Sequence, residues 1–543
     1  MPILTWVGKD KVVNHHHDVP FRVLRHESHF EAPEGTPKNS TGNRIIHGDN
    51  LEALKSLLPE FEGKIKCIYI DPPYNTGNEG WVYNDAVNDP KIKKWLGQVV
   101  GKEGEDLSRH DKWLCMMYPR LKLLHRLMAD NGVIFVSIDD FEVQNLRPIM
   151  DEIFGMNNRI EQFIWKKSYG GGAKERYAVT VHEYILMYAK KKENIDELSL
   201  PPDPGAEARY YKYKDENLAV RGPYRIKPLE ATKSMDRREN LVYPIPAPDG
   251  TEVWPKRQWW WAKERAYSAL ENGELYFTKS NSGNWSISYK QYLRDEEGSE
   301  RRSKPFSIID GIYTQNGSAA LREIYFDHEH QVFQFPKPPQ LIEKLISMLN
   351  TDQDAIILDS FAGSGTTAHA VLNINTQDKG NRRFILIEMM DYADTITAER
   401  VRRVMSGFGE GASQVSGLGG SFDYYTIGEQ IFNENDTLNE AVGVETIRQY
   451  VAYSEGIPNE YRTSEDNSYT PYLLGLNTET AWIFYYEPEE VTCLDLDFLS
   501  SLKFGTNKPA TVIIYADKSL LTKEFMAKYG IIFKKIPRDI TRF

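Results

Sequence analysis

Cysteine is scarce in this chain: three residues, Cys67, Cys115 and Cys493, are scattered over 543. That spacing excludes a disulfide framework and offers no zinc-binding pattern, which fits a reducing, cytoplasmic setting. There is no unbroken apolar run of membrane-spanning length, and no signal peptide is expected. An excess of positive charge is also missing, with 66 Lys and Arg against 78 Asp and Glu and a formal net charge of -12. A uniformly basic coat for nucleic acid is therefore excluded, although phosphate contact depends on local surfaces rather than on the sum. The 41% hydrophobic and 27% charged residues are those of a soluble globular protein, and the length predicts two or three domains.

What the chain does carry is a pair of strand-to-turn signatures. The first is Cys67-Ile-Tyr-Ile-Asp-Pro-Pro-Tyr74. Pro72 and Pro73 stiffen the backbone and lack amide donors, so carbonyl oxygens there can accept hydrogen bonds from a ligand. Asp71 adds a carboxylate and Tyr74 an aromatic face. The set suits a planar ring with an exocyclic amine, as in adenine or cytosine. Alone, the tetrapeptide also reads as a rigid strand-to-loop turn. The second signature weighs against that reading: Ala355-Ile-Ile-Leu-Asp-Ser-Phe-Ala-Gly-Ser-Gly-Thr-Thr-Ala368 is an apolar strand, a small-residue turn and the start of a helix. Gly363 and Gly365 let a ligand approach the backbone, and the helix start offers free amides and a positive dipole end. This fits the methionine moiety of S-adenosylmethionine. The next apolar stretch, Arg383 to Glu388, ends in an acid placed to accept ribose hydroxyls.

Asp71-Pro-Pro-Tyr74 followed much later by Phe361-Ala-Gly-Ser-Gly-Thr-Thr367 resembles the amino-methyltransferases of DNA in the permuted, β-class order, catalytic motif first and cofactor motif last. His47-Gly-Asp-Asn50, Tyr83-Asn-Asp85, Trp113-Leu-Cys-Met-Met-Tyr-Pro-Arg-Leu121, Gly132-Val-Ile-Phe-Val-Ser-Ile-Asp-Asp140 and Met150-Asp-Glu-Ile-Phe-Gly155 are similar to the modification subunit of type III restriction-modification systems. The resemblance covers residues 41 to 190 and 325 to 405. It implies an α/β fold: a doubly wound Rossmann-like sheet in permuted motif order, with an inserted target-recognition domain and a small C-terminal α/β domain. It further implies N6 methylation of a flipped adenine in double-stranded DNA, S-adenosylmethionine as cofactor and no metal. Asp71, Pro72, Pro73 and Tyr74 would be catalytic. Asp49, Asp359, Phe361, Gly363, Gly365, Thr366, Glu388 and Lys337 would line the cofactor pocket, although Asp49 reads equally as a helix N-cap. A homodimer and a helicase-nuclease restriction subunit are the implied partners. Two alternatives stay open: a solitary or phage-defence methyltransferase without a nuclease, and an inactive DNA-binding specificity subunit.

Organisation follows from composition. Residues 1–40 show little periodicity, and His15-His-His17 reads as a solvated loop. The catalytic half is expected over 41–190, with Leu51, Leu54, Leu57 and Leu58 at helical spacing, a packing helix around Trp113 and strands near 132–138, 161–167 and 181–188. Asp139 and Asp140 read as a strand-end turn or cap. The 75–85 stretch, carrying Trp81 and Tyr83, is expected to lie over the pocket. An insertion over 191–325 has proline-rich turns and the Trp259-Trp-Trp261 cluster, read chiefly as packing. From 155 to 265 there are 21 basic against 16 acidic residues, so duplex contact is expected there. The cofactor half occupies 326–406, the glycine-rich 407–420 reads as a flexible boundary, and 421–543 reads as a partner or oligomerisation domain. Its 11 basic against 19 acidic residues suit a protein surface rather than phosphates.

Overall fold

The computed structural model describes residues 3–76, 105–170, 177–201, 209–231, 236, 238–281, 283–299, 301–349, 352–462 and 469–538. The chain forms two units, one of residues 1–196, 306–346 and 350–543 and the other of 197–305 and 347–349.

The first unit is built on one ten-stranded sheet. In chain order its strands are β1 (Arg22–Glu31), β2 (Asn43–His47), β3 (Ile65–Ile70), β4 (Met128–Ile138), β5 (Arg159–Lys166), β6 (His182–Ala189), β7 (Ile308–Ile309), β8 (Ile356–Asp359), β9 (Arg383–Glu388) and β10 (Ser421–Gln430). In space they run β1-β10-β2-β9-β8-β3-β4-β6-β5-β7. Strands β10, β2, β9, β8, β3 and β4 are mutually parallel. Strands β3, β8 and β9 are almost wholly buried, which is why they read as continuous apolar runs rather than alternating ones. Helix α1 (Asn50–Phe61) and helix α2 (Glu105–Leu127) connect the first strands. Leu51, Leu54, Leu57 and Leu58 of α1 and Trp113, Leu121 and Leu124 of α2 enter the same core as Ile68, Ile70 and Leu358. Helix α3 (Thr366–Asp378) follows β8. The doubly wound arrangement expected from the sequence is therefore present. Its late strands β8 and β9 lie between the early β2 and β3.

Three local readings of the sequence are revised. His15–Asp18 is a short helix rather than a solvated loop. His16 is buried, and burial first, then the charges of His17, Lys122 and Arg126, push its imidazole down to about 4. The Lys55 ammonium donates to the carbonyls of His16 (2.8 Å) and His17 (3.2 Å), pinning that turn. The N-terminal segment supplies the edge strand β1, antiparallel to β10; its polar, mostly exposed residues gave no periodic signal. The glycine-rich stretch is packed rather than slack: Gly407–Phe408 pairs with Val415–Ser416, and a Cβ on Gly419, held at φ 75°, would fall 1.7 Å from the Pro37 carbonyl oxygen. Those glycines serve close backbone approach, and β10 beyond them belongs to the large sheet.

Further along, Leu473–Leu476, Thr480–Phe484, Thr511–Ala516 and Ile531–Lys535 form a separate four-stranded sheet. Its core includes Ile483, Leu494, Phe498 and Ile514. The second unit holds an antiparallel sheet of Leu275–Lys279, Trp285–Tyr292 and Tyr224–Pro228. There Trp259 is buried with Leu229, Tyr243 and Ile287, and its indole donates to the Tyr243 carbonyl at 2.8 Å. Trp260 is exposed, and Trp261 packs on Tyr289. Strand β7 and the helix Thr314–Ile324, which fall inside the 191–325 stretch, belong to the first unit. Among the described residues no helix is long and apolar enough to cross a membrane.

Candidate active site

Strand β3 delivers Asp71, and the neighbouring β8 ends on Asp359; Ile68 sits opposite Leu358 in parallel register. Two signatures almost three hundred residues apart thus open at one edge of one sheet, where an open α/β fold places its ligands. Strand β6 runs antiparallel to both β4 and β5, so its first residues reach that same edge. Glu183 is brought there by β6, and Lys167 by the end of β5.

At the first strand end a charged cluster forms. The Lys337 ammonium donates to both Asp71 carboxylate oxygens, at 2.9 and 2.8 Å, and to the Tyr74 hydroxyl at 2.7 Å. The Tyr74 hydroxyl donates to Asp71 at 2.8 Å and lies 3.1 Å from Glu183. Glu183 sits 3.5 Å from Lys337 and accepts from Lys167 at 2.9 Å. Burial pulls the Lys337 ammonium down, but the carboxylates of Asp71 and Glu183 outweigh it and hold the lysine above its ordinary range. For Glu183 burial pushes upward, and the two lysine charges, aided by hydrogen bonds from Lys167 and Tyr74, win and hold it below the usual carboxylate range. Burial, then the Asp71 and Glu183 charges, raise the Tyr74 phenol well above 10. The Pro73 carbonyl accepts from the Trp113 indole at 2.7 Å, so it is already engaged. Among the described residues none donates to the Pro72 carbonyl, which leaves it as the acceptor of the turn.

The glycine turn at the second strand end is closed by the carboxylates of Asp359 and Glu388. Asp359 accepts from the Phe361 amide at 3.0 Å and the Thr367 hydroxyl at 2.5 Å, and burial pushes its carboxyl up to about 7. Phe361 is buried beside it. Glu388 accepts from the Gly363 amide at 2.7 Å and from Met390 at 3.0 Å, and burial raises it as well. Gly365 occupies the N-cap of α3 at φ 78°, where a Cβ would meet the Thr397 carbonyl oxygen at 2.9 Å. The Thr366 hydroxyl faces inward and accepts from buried Arg400 at 2.7 Å. Asp49 caps α1, accepting from Leu51 at 2.7 Å and Glu52 at 3.2 Å, with Arg120 at 3.4 Å on its other oxygen. Arg120, wholly buried, donates to Asn50 at 2.5 Å, and Asn50 donates to the Ser360 carbonyl at 2.9 Å. The His-Gly-Asp-Asn loop is thereby tied to the glycine turn.

The sequence-derived residues fall into two groups. Asp71 and Tyr74 share one cluster with Pro72 and Pro73 beside them. Asp359, Phe361, Gly363, Gly365, Thr366 and Glu388 form the turn, with Asp49 linked to it through Arg120 and Asn50. Lys337 departs from its expected place, because its ammonium sits on Asp71 and Tyr74. Glu183, Lys167, Arg120 and Trp113 were not picked out as site residues. For Glu183 the signal was present: a lone acid opening an otherwise apolar strand. Trp81 and Tyr83 lie outside the described residues.

A family model described as DNA methylase matches residues 65–399. The chain is 32% identical over 452 residues to the type III restriction-modification enzyme StyLTI Mod subunit of Salmonella typhimurium, an alignment covering 77% of this chain and 66% of that protein. It is 31% identical over 432 residues to the type III restriction-modification enzyme EcoP15I Mod subunit of Escherichia coli, covering 71% and 64%. Against the type II methyltransferase M.KpnI of Klebsiella pneumoniae it is 31% identical over 377 residues, covering 65% and 82%. The chain therefore spans just under two thirds of each of these two Mod subunits.

Proposed function

This chain belongs to the DNA methylase family, and from that premise we propose that it transfers a methyl group from S-adenosylmethionine to the N6 amine of a flipped adenine in double-stranded DNA, as the modification subunit of a type III restriction-modification system. The observation that supports the reading is the parallel pairing of β3 with β8, which puts the strand end leading to Asp71 beside the strand end leading to the Gly363–Gly365 turn. In the turn assigned to the cofactor pocket, Gly365 packs so closely on Thr397 that a side chain would collide, and Glu388 and Asp49 are acids within the same linked loops. Gly363, Gly365, Phe361, Asp359, Thr366, Glu388 and Asp49 would hold or shape that pocket. S-adenosylmethionine supplies an electrophilic methyl carbon on a sulfonium.

The protein's part is orientation and charge. An Asp71 oxygen and the Pro72 carbonyl accept the two amine hydrogens and turn the nitrogen lone pair toward the methyl donor. As the new N–C bond would form and the methyl–sulfur bond break, its electron pair returning to sulfur, positive charge would grow on nitrogen; the Asp71 carboxylate stabilises it and takes the proton that must leave. Tyr74 offers a ring face for the base. Taking an adenine out of the stack costs about a few kcal/mol, which binding in this pocket must offset. The basic stretch within the second unit is proposed to read the target sequence, and the acidic C-terminal part to engage a restriction subunit or a second copy of the chain. Support for a restriction partner comes from the Mod subunits that the chain resembles.

Tritium transfer from methyl-labelled S-adenosylmethionine to duplex DNA tests the reaction; no incorporation into any DNA would overturn it. Exchanging residues 197–305 for the corresponding part of a relative should change the methylated sequence while leaving cofactor binding intact. An unchanged sequence would refute the role given to the insertion.

A further inference from the structure

Asp71 is the acceptor that the target amine needs, yet Lys337 already engages both its oxygens. Both carboxylate oxygens accept from the ammonium, and one accepts from Tyr74 too. The same nitrogen lies beyond the Tyr74 hydroxyl, 4.8 Å from the ring centroid. One cation thus occupies the hydrogen-bonding position of the proposed base pocket. Resting on the reading of this pocket as a site for a flipped adenine, we propose that Lys337 is a displaceable stand-in for the target amine, and that Glu183 receives its ammonium when the base enters.

A carboxylate with about a quarter of its side chain exposed still gains from an internal cation beside it. Lys337 supplies it. An adenine amine must compete with the ammonium for the Asp71 oxygens. Glu183 is the acceptor available: its nearer oxygen is 3.5 Å from Lys337, just beyond a full hydrogen bond, and its other oxygen is held by Lys167. A shift of the lysine tip toward Glu183 keeps the ammonium paired throughout. It also draws positive charge away from the nitrogen on which the reaction builds more. Base capture then becomes a competition in which a ring without a 6-amine has nothing to offer Asp71 in exchange. Lys337 acts in this scheme as a positioning residue, holding the carboxylate and phenol in register until the amine replaces it.

The test uses the full chain and a duplex carrying its mapped methylation site, with 2-aminopurine beside the target adenine as reporter of base extrusion at saturating protein. Lys337→Met should raise the reporter signal several-fold while lowering kcat, because the competitor is gone and Asp71 is less well oriented. Glu183→Gln should lower the signal by a similar factor, because the ammonium loses its second position, and the Lys337→Met/Glu183→Gln double variant should return to the Lys337→Met level. A purely structural role would lower the signal in all three. Unaltered cofactor titration by calorimetry identifies the variants that are folded. For the wild-type protein, which needs no variant to fold, replacing the target adenine by purine, which lacks the 6-amine, should bring the signal to background. Equal capture of purine and adenine, or a Lys337→Met signal no higher than wild type, would overturn the proposal while wild-type methyl transfer left the adenine reading standing. Absence of wild-type transfer into any DNA would overturn both.

Discussion

Asp71 and Asp359 close neighbouring parallel strands, but the two carboxylates are held in different ways. Asp71 is satisfied by Lys337, from a distant segment, and by Tyr74 of its own turn, and the lysine can exchange for a ligand. Asp359 is satisfied inside its own loop by Phe361 and Thr367, and the Glu388 carboxylate locks the Gly363 amide from the next strand. The first strand end is built to change partners and the second to stay fixed. That division matches the two tasks proposed for them: one must accept, orient and release a base, and the other must present a preformed cradle to a cofactor.

The strongest way to break this comparison is at Asp71. Asp71→Ala should lower methyl transfer by about three orders of magnitude, since orientation and charge stabilisation are both lost, while cofactor affinity by calorimetry stays near wild type. Gly365→Val strikes the other end. The left-handed backbone and the 2.9 Å approach to Thr397 leave no room for a branched side chain, and cofactor affinity should fall by about a hundredfold or more. If calorimetry found the losses of affinity reversed between these two variants, the division of labour would be wrong.

Smaller effects sharpen it. Thr367→Val removes the hydroxyl that Asp359 accepts, leaving a buried acceptor short of a partner at a cost of about 1–3 kcal/mol. The expected readout is a lower melting temperature with a modest loss of cofactor affinity. The smallest effect is in pH. Lys337 is raised, so its contribution is complete below ~10.4 and is lost only as pH climbs through the folded value; Glu183 is depressed, so its contribution is complete above ~4.3 and is lost only as pH falls through its folded value. The contribution of these two groups is therefore constant from about pH 5 to 10. His16 and His125 are pushed down to about 4 and His369 to about 3, chiefly by burial. The unfolded chain takes up protons below ~6.5 while these remain neutral in the fold, so the three histidines lower stability toward pH 4, whereas Asp359, raised to about 7, opposes them in the same window. Melting curves of the wild type and Lys337→Met should keep a constant difference from pH 6 to 9. A difference that varies across that window would contradict the assignment.

Much of the fold was legible because the parallel strands are buried on both faces. Ile65–Ile70, Ile356–Asp359 and Arg383–Glu388 carry unbroken apolar runs, each followed by a turn whose residue types have chemical meaning. The edge was not legible: β1 is polar and exposed, and its pairing with β10 depends on a partner four hundred residues away. At the site, the residues of each strand end could be read from local pattern. The contacts between segments could not. Nothing in Phe335-Pro-Lys-Pro-Pro339 says that its lysine reaches Asp71 rather than the cofactor turn, and Glu183 gains its place only from the antiparallel course of β6. Gly407 to Gly420 was misread because glycine serves close packing as well as flexibility, and composition does not distinguish them.

The central claim is that the Asp71 pocket methylates the amine of adenine. Base-resolution sequencing of DNA from cells expressing the wild-type chain, beside cells expressing Asp71→Ala, tests it most directly. The account predicts N6-methyladenine in one defined sequence context with the wild type and none with the variant. Methylated cytosine in place of adenine, or the same adenine marks from Asp71→Ala, would contradict it.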